Sequence, residues 1–305
     1  MRALVLGAAA GGGFPQWNSN GRGCRRARAG DPLATPRTQA SVAVSADGKS
    51  WFLLNATPDL RQQIGQTPAL WPREGLRSSP IAGVVLTGGD VDALAGLLTL
   101  RERQPLSIYA TRPVLDVLES NSVFEVLARD LVARRRIRLD DPIALALPDG
   151  AESGLTCTAF AVPGKVPLYQ ETDDAPAIAA DERTVGLHLA CDGQGMFYVP
   201  GCATMTAELA ERLRHAALVF FDGTLWDDDE MVRAGLGPKT GRRMGHMSVS
   251  GPQGTIAAFA DLDVKRKIMI HINNSNPVLL ADSPERALAE RQGWSVAHDG
   301  MEVVL

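Results

Sequence analysis

The stretch "VVLTGGDVDALAGLL", Val84–Leu98, decides the fold. It runs from an apolar strand, through a glycine turn bearing Asp90 and Asp92, into an apolar helix start. A short unbroken apolar run predicts a strand buried on both faces, and the carboxyl end of such a strand is where α/β proteins place their chemistry. One carboxylate at this place could simply cap the helix by accepting its amide protons. A cap needs only one. Two carboxylates at i and i+2 on a turn can also converge on a hard cation such as magnesium, manganese or ferrous iron.

Working outward, "SVAVSADGKSWFLLN" predicts two antiparallel strands joined by a two-residue hairpin at Asp47-Gly48. "PDLRQQI" predicts a short helix, "DALAGLLTLRER" a longer one, "LSIYAT" a strand, and Thr111 with Pro113 the start of another helix. The middle is β-rich ("PIALAL", "LTCTAFAVP", "TVGLHLAC", "GMFYVPG"), and the last third alternates again: "TAELAERLRHA", "ALVFFDG", "GTIAAFADL", "RKIMIHIN", "SPERALAERQGW", "MEVVL". Two halves, each passing from β-rich to alternating, predict an α/β fold of the four-layer αββα sandwich type, with residues 1–305 as a single domain. The glycines Gly11–Gly13 do not predict a phosphate loop, because Pro15 follows them and no helix does.

With 305 residues, 45% of them hydrophobic and 22% charged, the chain is long enough to bury a sizeable core. A formal charge of −4 gives no general attraction to polyanions. The basic stretches Gly21–Gly30 and Ala133–Arg138 lack the interleaved aromatics of a single-strand binder, so no nucleic-acid partner is expected. The opening apolar run Ala3–Leu6 is too short for a signal peptide, and no segment is long enough to span a bilayer, so no membrane partner is expected. Cys24, Cys157, Cys191 and Cys202 are too widely spaced for a zinc knuckle, and a chain of this size needs no disulfides, which suggests a cytoplasmic location.

Polar residues follow apolar runs at three places in the second half: Asp222 in "VFFDGT", His246 in "MGHMSVSG" and His271 in "MIHINNSNP". Histidine at a strand exit suits a metal ligand or a general acid/base. The amides Asn273 and Asn274 add hydrogen-bonding capacity beside it. His188 and His215 read as structural, His298 as a turn residue, and Lys165 and Lys239 as possible anchors for an anionic substrate.

"LTGGDVDALAGL" resembles the metallo-β-lactamase motif Thr-His-x-His-x-Asp-His, with Thr87 and Asp92 retained and Gly88, Asp90 and Ala93 in place of the histidines. "GAAAGGGFPQWN", "PRTQASVAVS", "LLNATPDLRQQI", "VPGKVPLY", "VPGCA", "FDGT", "KTGRRMGHMSVSG", "HINNSNP" and "GWSVAHDG" together resemble the pyrroloquinoline quinone (PQQ) synthesis protein B family along essentially the whole chain. The resemblance implies a metallo-β-lactamase-like αββα fold. It also implies a role in PQQ biosynthesis as an iron-dependent hydroxylase, using Fe(II) and molecular oxygen on the tyrosine ring of a peptide-derived, crosslinked Glu-Tyr precursor. The alternative is a non-catalytic carrier of PQQ or its precursor. Other PQQ biosynthesis proteins are the implied partners.

The resemblance further implies metal ligation by Asp90, Asp92 and His271, acid/base roles for Asp222 and His246, and substrate contacts from Lys239, Arg242, Asn273 and Asn274. Family members usually carry a histidine directly after the second aspartate; here Ala93 offers only a methyl group, so weakened metal binding is expected unless Asp222 or a loop residue substitutes. The family's Cys-x-Cys-x-x-Cys zinc cluster is represented by Ser19, Gly21 and Cys24. One thiolate cannot hold zinc tetrahedrally, so no structural zinc is expected.

Overall fold

The computed structural model describes residues 1–170 and 178–305. Its first six strands build one sheet: β1 (Arg2–Gly7), β2 (Ser41–Ser45), β3 (Trp51–Leu54), β4 (Ile81–Val85), β5 (Leu106–Ala110) and β6 (Val132–Arg136). The second sheet takes β7 (Ile143–Ala146), β8 (Glu152–Gly164), β9 (Ala179–Cys191), β10 (Gln194–Val199), β11 (Val219–Asp222), β12 (Lys267–Ile270) and β13 (Trp294–Val296). The last strand, β14 (Glu302–Val304), returns to the first sheet beside β1. In each sheet the strands pass from antiparallel pairs to a parallel set, β3 to β6 in one and β10 to β13 in the other.

Alternation along the strands makes the layers. Val42, Val44, Phe52 and Leu54 of the first sheet meet Leu187, Leu189, Phe220 and Ile268 of the second in one shared core. Their neighbours Ala43, Trp51 and Leu53 point the other way, against Leu60, Leu97, Leu115 and Leu118 of the outer helical layer. Val219, Phe221 and Met269 do the same on the opposite side, against Leu209, Leu213 and Phe259. Each such fully buried Leu or Phe contributes about 1.5–3 kcal/mol relative to exposure. This is the expected αββα sandwich. Central parallel strands, covered on both faces, must read as unbroken apolar runs, as Ile81–Val85 and residues 219–221 do.

Several local expectations differ. Residues 92–103 do not form one helix: α-helix covers Val91–Leu94 and a 3-10 segment follows over Ala95–Leu100. The Ala93 carbonyl accepts from Ala56 N–H and the Gly96 N–H donates to the Ala56 carbonyl, so both groups are taken from the α-helical ladder. Gly96 is required there because a Cβ would lie 2.1 Å from the Thr57 carbonyl oxygen. The β2–β3 connection is five residues rather than two, closed by Asp47, whose carboxylate accepts from the Lys49 and Ser50 amides. Residues 254–262 are helical only over Thr255–Ala258.

The basic run at 133–138 contributes to the edge strand β6, where Arg135 donates to Ser107 Oγ and Arg136 pairs with Glu182. Charged residues on an edge strand also discourage unwanted strand pairing. The other basic stretch forms the helix Arg22–Arg28, with Arg26 paired to Asp31 and Asp282. No helix among the described residues is long and apolar enough to cross a membrane.

Candidate metal centre

The carboxyl ends of β4, β11 and β12 open into one cavity of about 400 Å3, lined among others by Asp90, Asp92, Ala93, Lys165, Thr224, His246, His271 and Asn273. The two sheets are tied together at its rim. Val185 N–H of β9 donates to the Thr87 carbonyl, and Ala10 N–H, after β1, donates to the Ile272 carbonyl. Gly11 stands in the wall, where an added Cβ would come 3.5 Å from Asp92 Oδ2.

The second sheet's contribution is a closed network. Asp222 is fully buried; its Oδ2 accepts from Cys202 N–H (2.9 Å) and lies 2.7 Å from His246 Nδ1, while its Oδ1 accepts from Thr224 N–H (3.0 Å) and Oγ1 (2.6 Å). Thr224 Oγ1 also lies 2.9 Å from His271 Nδ1. With its proton on Asp222, the hydroxyl is an acceptor for the His271 Nδ1–H, and Asp222 is the acceptor for the His246 Nδ1–H. Both imidazoles thereby have Nδ1 engaged as a donor, so that Nε2 is the atom each ring offers beyond this network, in His271 toward Asp92. The rings stack with centroids 5.1 Å apart. His271 has a φ of 58°, a left-handed conformation that turns the chain sharply at the end of β12.

The first sheet's side is looser. Asp90 holds the N-cap place of the following helix but makes no side-chain cap bond, so the capping reading fails for its carboxylate. Burial, and then the charge of Asp92, push the Asp90 carboxyl above the ordinary carboxylate range. Burial opposes ionisation of Asp92 as well, but the hydrogen bond and charge of His271 prevail and hold its carboxyl low. The reciprocal effect holds His271 above its ordinary pKa: burial works against the cation, and Asp92 outweighs it, helped by Asp222 and Asp90. Asp92 Oδ2 and His271 Nε2 are 3.1 Å apart.

A metal fits these donors. A cation held between Asp92 Oδ2 and His271 Nε2 would replace the proton that now links them across 3.1 Å. Ligand atoms of Asp222, His246 and His271 all lie within 4.8 Å of one another, so the second-half acid and both histidines form a candidate cluster that the family resemblance divided between two roles. Ala93 is buried, and its methyl group lines the cavity beside Asp92.

Of the residues expected to touch substrate, Asn273 lines the cavity and donates to Ser275 Oγ. Asn274 binds Gln16, itself a wall residue, and accepts from the Cys24 thiol. Arg242 reaches Gln253 on the exposed side of its turn, and neither it nor Lys239 is among the lining residues. Lys165 does line the cavity, where its charge acts on Asp90. Thr224 went unnoticed in the sequence; the signal was its place two residues after a buried acid in "FDGT". His188 stacks on Phe197, His215 pairs with Asp263, and Ser19 accepts from the Gly21 amide.

A beta-lactamase superfamily domain matches residues 50–272. The coenzyme PQQ synthesis protein B of Gluconacetobacter diazotrophicus is 66% identical over 98% of both chains. This chain belongs to the coenzyme PQQ synthesis protein B family. The crystal structure of Zn2+-bound PqqB from Methylobacterium extorquens, at 50% identity, superposes over the full length of both chains with a TM-score of 0.96. A diphosphatase of the PhnP family, 21% identical with a TM-score of 0.68 over the whole chain and 97% of its own, shares the fold.

Proposed function

We propose that this chain acts in PQQ biosynthesis as an iron-dependent hydroxylase of the tyrosine ring in a crosslinked Glu-Tyr precursor. The observation that carries the reading is the convergence of carboxylates and imidazoles on one roomy cavity, in a chain so similar to named PQQ synthesis proteins. Asp90, Asp92 and His271 would hold ferrous iron, with Asp222 close enough to His271 to assist. Bound there, the iron supplies the redox chemistry for activating molecular oxygen. The protein's own groups bind, orient and move protons. His246, oriented at Nδ1 by Asp222, offers Nε2 as the atom that takes up or releases a proton. Asn273 and Lys165 face the substrate's carboxylates from the wall, with Asn274, Arg242 and Lys239 on the adjoining loops.

Because all four cysteines are buried and unpaired, a reducing cytoplasm suits the chain, with other PQQ biosynthesis proteins supplying the peptide-derived substrate. The test is to load the protein anaerobically with ferrous iron, add crosslinked precursor and a reductant such as ascorbate, and admit oxygen. Oxygen consumption with a mass gain of one oxygen atom is expected; an unchanged mass, also with Ala93→His, contradicts the reading. Ala93 favours the second reading, a carrier, which predicts tight binding of the quinone that chelators leave intact.

A further inference from the structure

A second cavity, of about 300 Å3, lies away from the metal centre, between the loop ending at Arg37, the segment around Leu279–Arg286 and the turn His298–Asp299. Arg37 is only 8% exposed, yet it makes no ion pair with a carboxylate among the described residues. Its Nε donates to the Ala297 carbonyl (3.0 Å) and its Nη1 to the Thr35 carbonyl (2.8 Å), while Nη2 donates to none of the described residues. Arg286 brings a second guanidinium to the same cavity, with Nε on Glu290 at 2.6 Å and its Nη atoms uncommitted among the described residues. Asp299 also lines the cavity: its Oδ2 accepts the Thr38 amide at 2.7 Å, its Oδ1 is buried without a hydrogen-bond partner among the described residues, and its charge offsets part of the repulsion between the two guanidinium groups.

Burial, and then the neighbouring charge of Arg286, lower the Arg37 pKa to about 10. Asp299 outweighs neither the burial nor the charge of Arg286, and a buried cation facing a like charge gains from a further group of opposite sign. Guanidinium edges match oxygen anions in planar, two-point fashion, and Pro36 and Leu279 in the wall suit a short apolar body behind such a group.

We propose that this cavity binds a small oxyanion, a carboxylate or phosphate group, seated between the uncommitted Nη edges of Arg37 and Arg286. The site is independent of the hydroxylase reading. The test is amide NMR on the full chain, titrated separately with sodium phosphate and sodium acetate at constant ionic strength set by sodium chloride. Saturable shifts centred on Ala297–Asp299 and Thr35–Thr38 are expected, with the stronger of the two titrants naming the anion class. Losing one charge-assisted hydrogen bond predicts affinity weakened at least about tenfold in Arg286→Gln. Arg37→Lys should weaken it further; should that variant not fold, Arg286→Gln decides alone. Shifts no larger than with chloride, shifts confined to Asp90–Ala93, or equal affinity in Arg286→Gln would overturn the proposal.

Discussion

On the second sheet's side of the metal centre, Asp222, Thr224, His246 and His271 satisfy one another: every oxygen of Asp222 is engaged, and each ring has its Nδ1 fixed. On the first sheet's side, Asp90 makes no cap bond, Asp92 meets His271, and Ala93 adds a methyl group. The comparison separates two tasks. The second sheet supplies oriented donors that stay in place by themselves, and the first supplies negative charge whose geometry a cation would complete. A missing ligand on the first side should therefore change affinity without disturbing the fold, whereas a change on the second side should disturb the orientation of its neighbours too.

The largest expected effect is from His271→Asn, which keeps a residue tolerant of the left-handed backbone and removes the imidazole that reaches Asp92. Metal affinity measured by calorimetric titration should fall by more than about 100-fold, beyond the usual cost of a change outside the ligand shell. An affinity within a few-fold of the parent would mean that the ligand set lies elsewhere. Thr224→Val tests the restraint itself: it removes the hydroxyl between Asp222 and His271 while keeping the shape, and metal affinity should fall about 10- to 100-fold. Unaltered affinity would show that the imidazole needs no such anchor. Tyr169→Phe should act least. It deletes the 2.6 Å hydrogen bond to the Gly89 carbonyl on the looser side, at a cost of about 0.5–1.5 kcal/mol in chemical denaturation. No loss at all would make that contact incidental.

Much of this arrangement was legible in the sequence, for a physical reason. Strands covered on both faces must be continuously apolar, so "VVLTGGD", "VFFDG" and "KIMIH" announced both the sandwich and the polar residues at their ends. What escaped depended on neighbours distant in the chain. The helix after Asp90 shortens because Ala56 takes its backbone hydrogen bonds, and β6 is disguised by arginines that an edge strand accepts. Thr224 carried no pattern of its own, since its importance comes from standing between Asp222 and His271. The direction of Arg242, toward Gln253 rather than the cavity, is likewise set by tertiary contacts.

The central claim is that a metal sits between the two sides and that the first side is short of one ligand at Ala93. Anaerobic ferrous-ion titration of this chain beside Ala93→His tests it most directly. The account predicts measurable binding in the parent and affinity raised at least about tenfold in the variant, the gain of roughly 1.4 kcal/mol or more that one added ligand should bring. Equal affinity in both proteins, or no binding in either, would contradict it.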